Sequence, residues 1–365
     1  MSSKLLLITS KVQESPVGGR ELLCKMNHDV LKSICGNRFY VYELSQNQYK
    51  RSVCSIVNSF RGHIDGLTDL VIGKILSLIQ SESIDKVFID GSNLGEIAKA
   101  IKQKYPDINV ITFFHNVEVR FFLGSFRQVK TIRALAILAA NYLAERKSVG
   151  WSDKIVCLSD RDSSLLEKIY GRTATHISSM ALEDKLPKKF LTVGMRLPEK
   201  FALFVGGNFY ANCAGISWFV HNVVPYINIP IYIVGRGFES LKDQLEIPNK
   251  VVVIGAVEEL ASWYKQSYFV IAPIFDGSGM KTKVAEALMY GKKVIGTAEA
   301  FSGYEEVPDR AVVVCNAADE FIRAIADTDK MDLADFDQDL REIFEKKYSF
   351  EAAKERFVNI LDFIS

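Results

Sequence analysis

Short, unbroken runs of Val, Ile and Phe alternate with helix-period segments along the whole chain, and this alternation limits the fold more than any other feature. In the first half, strands are expected at 4–9, 38–44, 86–90, 110–115 and 154–158, with helical patterns at 67–81, 95–105 and 128–147. The second half repeats the scheme with strands at 201–205, 231–234, 251–254, 268–273, 292–297 and 311–314. Runs that are apolar throughout, without in-out alternation, belong to strands buried on both faces, as in parallel sheets covered by helices. Right-handed crossovers then imply an α/β protein built from two doubly wound, Rossmann-like parallel-sheet domains.

The length of 365 residues accommodates two such cores. The break is expected near 182–200, where two prolines and several lysines interrupt all periodicity, dividing domain 1–185 from domain 200–348. A terminal amphipathic helix, 350–365, has no strand after it and is expected to pack back onto the first domain. Ligands of doubly wound sheets sit beyond the carboxyl ends of the strands, so two such domains facing each other would share one deep cleft.

Bulk properties exclude several classes. A net charge of +1 supplies no basic field for duplex nucleic acid. No apolar window approaches the roughly 20 residues that span a bilayer, and the longest, 132–143, contains Arg133. The opening MSSKLLLITS reads as a first strand, not as a secretory signal. Six scattered cysteines show no CxxC and no metal-type spacing with the five histidines, and Cys157, Cys213 and Cys315 lie in or beside apolar runs. Reduced core thiols in a cytoplasmic protein are expected.

The sharpest chemical signal is Gly277-Ser-Gly-Met-Lys-Thr-Lys-Val-Ala-Glu286, between a buried strand and a helix. Gly277 and Gly279 flank Ser278 in a turn that needs permissive backbone, and the amides of Gly279, Met280 and Lys281 open a helix. Lys281 and Lys283 have the wrong sign for a helix N-terminus unless an anion sits there. Glu286, one turn further in, suits a vicinal diol. Together they describe a site for a nucleoside diphosphate attached to a sugar. Weaker signals surround it at other strand ends: Gly207 and Asn208 after the first strand of this half, Arg236 after the second, and backbone near Val257 after the third.

Here the second half, from Phe204-Val-Gly-Gly to Thr297-Ala-Glu-Ala-Phe-Ser-Gly303, resembles the retaining glycosyltransferases of family 4, which have the two-domain GT-B fold. Asn212, Trp218, Pro225, Gly235, Gly255, Tyr264 and Pro273 contribute to the resemblance, with the GSGMKTKVAEAL run, Tyr290–Ile295 and Thr297. In that family one glutamate holds the transferring sugar and a second the ribose. Glu286 matches the second; Ser278 stands where the first would be, as in a subgroup with Gly-Ser-Gly-x-Lys-x-Lys-x-x-Glu. The Arg and Lys that many members carry after the first glycine turn are missing, which leaves the diphosphate to Lys281, Lys283 and Arg236.

The first domain offers Gly18 and Gly19 after its first strand, where the resemblance implies contact with donor phosphates and acceptor. Asp90 and Ser92 end another strand and would point at the cleft or cap the next helix. Phe114-His-Asn-Val-Glu-Val-Arg120 places polar residues at the end of an apolar strand. His115 is expected to bond a sugar hydroxyl, and Glu118 to orient an acceptor or to neutralise Arg120; the resembling family has a comparable element. Residues 120–147 carry six basic residues (120, 127, 130, 133, 146 and 147) against Glu145 alone, interleaved with Phe121, Phe122, Leu123 and Phe126. Such a surface suits peripheral contact with an anionic membrane, where lipid-linked acceptors reside.

The expectation is therefore a cytoplasmic retaining glycosyltransferase, acting on a glycan, lipid-linked or protein acceptor in cell-surface glycan synthesis, with His115, Glu118 and Lys281 in the chemistry. Cationic side chains would replace a metal, since no DxD-type site stands out. Two alternatives stay open: a nucleotide-sugar epimerase on the same fold, and a catalytically silent GT-B subunit that stabilises a partner.

Overall fold

The computed structural model describes residues 3–14, 16, 18–45, 53–186, 200–328 and 336–362. The chain divides into two compact units, Met1–Met180 with Ala353–Ser365, and Ala181–Ala352.

The first unit begins β1 (Leu5–Ser10), α1 (Gly19–Cys35), β2 (Phe39–Leu44), α2 (Val53–Arg61), α3 (Asp69–Glu82), β3 (Lys86–Asp90) and α4 (Gly95–Lys104). It continues with β4 (Asn109–Phe114), α5 (Glu118–Val129), α6 (Ile132–Trp151), β5 (Lys154–Cys157), α7 (Asp160–Tyr170) and β6 (His176–Ile177). Every strand pair is parallel, in the order β2-β1-β3-β4-β5-β6. Leu5 to Ile8 of β1 are wholly inaccessible, as expected of a central strand covered on both faces, whereas edge strand β2 is half-buried along most of its length. Leu6, Ile8, Val87, Ile89 and Val110 from the strands pack against Ile75, Ile79, Ile97 and Ile101 from α3 and α4.

The second unit contains β7 (Ala202–Val205), α8 (Tyr210–Asn222), β8 (Ile231–Val234), α9 (Lys242–Leu245), β9 (Val251–Gly255), α10 (Ala261–Gln266) and β10 (Phe269–Ala272). Then come α11 (Thr282–Met289), β11 (Val294–Gly296), β12 (Val312–Val314), α12 (Ala318–Thr328) and α13 (Gln338–Lys347). This sheet is also fully parallel, ordered β12-β11-β10-β7-β8-β9. It is the doubly wound order in which the chain reverses direction across the sheet between its first and fourth strands, here β7 and β10. The buried Lys292 ammonium donates to the carbonyls of Ser267 (2.7 Å) and Lys265 (3.1 Å), so it closes the end of α10 instead of facing water.

The last helix, α14 (Phe350–Ile360), returns to the first unit. Phe357, 2% exposed, lies 5.6 Å from the Phe88 ring and 6.1 Å from the Phe113 ring, centroid to centroid. Arg356 bonds the Ser179 carbonyl at 2.9 Å, and Lys154 reaches the Ile360 carbonyl at 2.8 Å. Within the second unit, Arg341 holds the start of the interdomain segment by bonding Asp184 and the Met289 carbonyl. The rest of that segment, 187–199, lies outside the described residues, as does 335, where the sequence pattern places the start of a helix over 335–347.

Several expectations change. The single helix expected over 128–147 is two helices, because Lys130 adopts a left-handed conformation (φ 47°) and Thr131 caps the new start by accepting from the Ala134 amide. No Gly or Pro marks that break. Helices α2 and α7 and the two-residue β6 were not anticipated. Asp90 and Ser92 cap nothing: the residue before α4 is Leu94, with no side-chain cap. Cys24 and Cys35 are buried along with Cys157 and Cys315, while Cys213 is only half-buried.

Phe357→Ala empties a site walled by Phe88 and Phe113 and should destabilise the first unit by about 3–5 kcal/mol. Urea unfolding followed by circular dichroism checks this; an unchanged midpoint for that unit's transition would refute the docking of α14.

Candidate functional site

The direction reversal between β7 and β10 puts two loops side by side: Gly206–Phe209 after β7, and Pro273–Lys281 after β10. Close packing brings β7 and β8 together at this end. A Cβ on Gly235 would lie 1.7 Å from the Gly206 carbonyl oxygen, so no side chain is tolerated there. The turn after β10 uses Gly277 (φ 145°) and Gly279 (φ 64°), both in the region that favours glycine. Among the described residues, the Ser278 hydroxyl is buried without a partner, and the amides of Ser278 and Gly279 donate to nothing. Lys281 occupies the cap position of α11 and offers no side-chain cap.

A second loop braces this turn. The Tyr304 hydroxyl donates to the Lys281 carbonyl at 2.8 Å, and Thr297 donates to the Ile274 carbonyl. Met280, almost fully buried, lies against Gly303 in space that a Cβ would fill. The Lys281 ammonium meets Glu299 Oε1 at 3.0 Å and the Gly279 carbonyl at 2.9 Å. Lys281, read from the sequence as a cation waiting for phosphate, is thus already neutralised; Glu299, 18 residues on, gave no local sign of it.

Lys283 is different. It is 5% exposed, its Nζ lies 4.3 Å from the Phe204 ring centroid, and its one hydrogen bond among the described residues runs to Asn212 Oδ1 at 2.8 Å. Asn212 is oriented for this by donating its amide to the Gly207 carbonyl at 2.9 Å. Although Lys283 and Glu286 share a helix face, they do not form an ion pair. Burial pushes the ammonium down to about 7, with Lys281 adding to the shift and Glu286 opposing it. Glu286 is half-buried, and its carboxyl is raised by burial against the Tyr264 hydroxyl, which donates to Oε2 at 2.9 Å. Tyr264 in turn stacks on Tyr290 at 4.7 Å.

The outlying sequence candidates divide. Asn208 bonds the Gly237 carbonyl at 3.1 Å and accepts from Cys213, so it shapes the loop. Gly207 is open: a Cβ placed on it would meet nothing nearer than the Arg236 carbonyl at 3.9 Å. Arg236 is exposed, and its guanidinium is hydrogen-bonded to nothing among the described residues. Val257 is half-buried just past β9, where the Glu239 carboxylate binds the amides of Gly237 and Ala256, each at 2.6 Å, and ties two strand ends together.

In the first unit the ends of β3 and β4 converge. Asp90, fully buried, accepts from Thr9 (2.7 Å) and Asn27 (2.7 Å) and meets His115 Nε2 at 2.8 Å. Burial opposes ionisation of Asp90, yet His115 and the two donors hold its carboxyl down at about 2. With Nε2 engaged, Nδ1 of His115 has no partner among the described residues. The Cys24 thiol, raised by burial, lies 3.9 Å from His115 Nε2. Cys24, Asp90 and His115 thus bring potential metal ligands within 4.8 Å of one another, a clustering that sequence spacing did not suggest. Hydrogen bonds already occupy both Asp90 oxygens and Nε2, so these residues do not fit a metal as arranged.

Glu118 is 7% exposed and its carboxyl has no hydrogen-bond partner among the described residues. Burial, with Glu145 and Asp65, raises it to about 8 against the opposing pull of Arg20. The expected neutralisation of Arg120 is not what acts on it. Arg20 itself is engaged with Asp65 at 2.6 Å. Beneath lies Glu145, wholly buried, accepting from the Glu118 amide (2.9 Å) and the Tyr170 hydroxyl (2.8 Å). Gly18 and Gly19 are exposed at the start of α1, and nothing lies within 4 Å of a Cβ placed on Gly18.

Residues 199–328 match the family model described as Glycosyl transferases group 1. No curated protein sequence matches the chain. Among solved structures, it is similar to sucrose-phosphate synthase from Thermosynechococcus elongatus, with TM-score 0.74, 14% identity, and 99% of this chain and 98% of that one covered. Anabaena HepE, solved with UDP and with UDP-glucose, gives TM-scores of 0.66 and 0.65 at 12% and 11% identity, covering 99% of this chain and 100% of that one. A glycosyltransferase from Rickettsia africae gives 0.64 at 15% identity over 99% and 98%. The two parallel six-stranded sheets with interleaved helices are the Rossmann-like units of the GT-B fold, and the second holds the segment that matches the group 1 model.

The lone buried Glu118 has a consequence testable without ligand. Its folded pKa, about 8, lies above the unfolded carboxylate value, so its contribution is intact below about pH 4.5 and stability is lost as pH rises toward 8. Glu118→Gln should therefore stabilise the first unit by about 3 kcal/mol at pH 8.5 and by little at pH 4.5. Denaturation at both pH values measures the difference, and equal effects would contradict the unpartnered carboxyl.

Proposed function

We propose that this protein is a retaining glycosyltransferase of family 4, moving a sugar from a nucleoside-diphosphate sugar to a hydroxyl of a saccharide, lipid-linked or protein acceptor. The observation that carries the reading is Lys283: a buried ammonium with, among the described residues, a single neutral hydrogen bond, at the reversal point of the second sheet, on the helix that follows the turn of the Ser278 and Gly279 amides, which have no partner among the described residues. An ammonium so poorly compensated gains most from an incoming anion, and a diphosphate also satisfies the amides. The HepE complexes with UDP and with UDP-glucose support a ligand of that class on this fold.

In this reading Lys283, Ser278, Gly279 and the Met280 and Lys281 amides hold the diphosphate, and Gly207 and Arg236 border it. Glu286 receives the ribose diol through the oxygen that Tyr264 leaves open, and backbone at Val257 meets the base. Neutralisation of the departing diphosphate by these donors supplies the main catalytic effect, with its own oxygen taking the acceptor proton on the same face. No metal is required. The family resemblance assigns Gly18 and Gly19 to donor phosphates and acceptor, the open Nδ1 of His115 to a sugar hydroxyl, and Glu118 to orienting the acceptor. The protein works in the cytoplasm at the inner face of the membrane, in cell-surface glycan synthesis.

The Lys281–Glu299 ion pair favours a second reading, a silent subunit that binds nucleotide and stabilises a partner, since it removes one cation from the phosphate site. A thermal-shift screen of UDP, GDP and ADP, followed by assay of nucleoside-diphosphate release from the matching sugar donor, tests both. Stabilisation with turnover supports the enzyme, stabilisation without turnover the partner, and no stabilisation by any nucleotide defeats both.

Binding should also report the titration of Lys283. Protonation near pH 7 is needed for the ion contact, so affinity for the selected diphosphate should fall as pH rises from 7 to 9. Lys283→Met should bind about 10–100-fold more weakly and lose that part of the pH dependence; titration calorimetry at several pH values would show a parallel profile if Lys283 stands apart from the phosphates. Glu286→Ala should weaken nucleotide binding by about tenfold, whereas His115→Ala should slow transfer and leave nucleotide affinity unchanged. Reversal of that pattern would remove both assignments.

A further inference from the structure

The break between α5 and α6 builds a corner whose composition is unlike the rest of the described surface. The left-handed Lys130 and the Thr131 cap turn the chain sharply, so apolar residues on both sides are left outside: Val129 is 59% exposed, Ile132 89% and Leu135 50%. Ile132 is the most exposed of the large apolar side chains among the described residues.

Arg127, Lys130 and Arg133 surround this corner, all exposed, and none of the three side chains has an ion-pair or hydrogen-bond partner among the described residues. No acidic residue occurs between Glu118 and Glu145. The aromatic residues at 121, 122 and 126, which the sequence suggested as the contact surface, are half-buried; the exposed apolar groups are aliphatic and further along.

We propose that this corner is a membrane-docking surface, in which Val129, Ile132 and Leu135 enter the headgroup boundary of an anionic bilayer and Arg127, Lys130 and Arg133 meet its lipid phosphates. The two properties are needed together: apolar side chains gain by leaving water, and unpaired cations gain from a surface of opposite charge. A second copy of the chain is a poorer occupant, because a two-fold interface would set these cations against their own equivalents. No described helix is long and apolar enough to cross the membrane, so contact of this kind is peripheral. The proposal rests on the glycosyltransferase reading only for its purpose, presentation of a membrane-borne acceptor, and its test involves no turnover.

Sedimentation with vesicles of phosphatidylcholine alone, or of phosphatidylcholine and phosphatidylglycerol in equal parts, supplies that test at physiological salt. The wild-type chain should pellet with the anionic vesicles and stay in solution with the neutral ones. Ile132→Asp should weaken vesicle binding by about tenfold, and the combined Arg127→Glu, Lys130→Glu and Arg133→Glu variant by about a hundredfold. Leu70→Asp, at another exposed apolar residue (69%) on α3, should bind as wild type does. Thermal-shift response to nucleotide should be the same in all variants, which separates a failure of docking from a failure of the donor site. Equal binding to both vesicle types, no binding to either, or full binding by Ile132→Asp would overturn the proposal. So would a dimer in sedimentation velocity that Ile132→Asp dissolves.

Discussion

Burial of one ammonium, that of Lys283, is the constraint around which the second unit is arranged. A lone charge taken out of water is tolerated only with compensation, and here the compensation is thin: one amide oxygen and the face of one ring. Phe204 supplies the ring from the end of β7, and Asn212 supplies the oxygen from the first turn of α8. Both arrive at Lys283 only because β7 lies beside β10 in the sheet, although the two strands are more than 60 residues apart in the chain. The turn that leads into α11 is fixed from the other side by Thr297, Gly303 and Tyr304. The result is a rigid cradle with one under-compensated cation, which is the electrostatic condition for binding an anion without rearrangement.

The first unit shows the same physics with two outcomes at the ends of adjacent strands. Asp90 and Glu118 are both removed from solvent at neighbouring strand ends. Asp90 receives two hydrogen bonds and faces an imidazole, so its carboxyl is held down at about 2. Glu118 receives none among the described residues, and burial raises its carboxyl to about 8. Burial alone decides neither; the neighbouring charges and the donors that reach the oxygens do. A compensated acid such as Asp90 is a structural support that fixes the ring of His115, whereas an uncompensated one is open to a hydroxyl or amine from outside.

Much of the architecture was legible in the chain. Continuous apolar runs implied parallel strands, and the observed strands match those runs within a few residues, because strands covered on both faces leave little room for polar residues. The return of the C-terminal helix was legible too, since an amphipathic helix with no following strand needs a surface to cover. Local breaks were not. Lys130 turns α5 into α6 without glycine or proline, and what favours the turn is the packing of two helices rather than the preference of one residue. The glycine turn at 277–279 could be read directly, because its φ angles admit little else. The partners of the lysines that follow could not. Glu299 neutralises Lys281 and Asn212 anchors Lys283 from other elements, and nothing at either position announces the pairing.

The sequence by itself determined which runs form strands covered on both faces, where most strands and several helices fall, and that a glycine turn opens a helix bearing two lysines and a glutamate. These follow from side-chain chemistry acting over a few residues. Tertiary structure decided which lysine is already paired, which carboxyl lacks a partner, and which apolar groups remain in water. Those outcomes depend on strand order and on contacts between distant segments, and an electrostatic environment exists only once such segments have met.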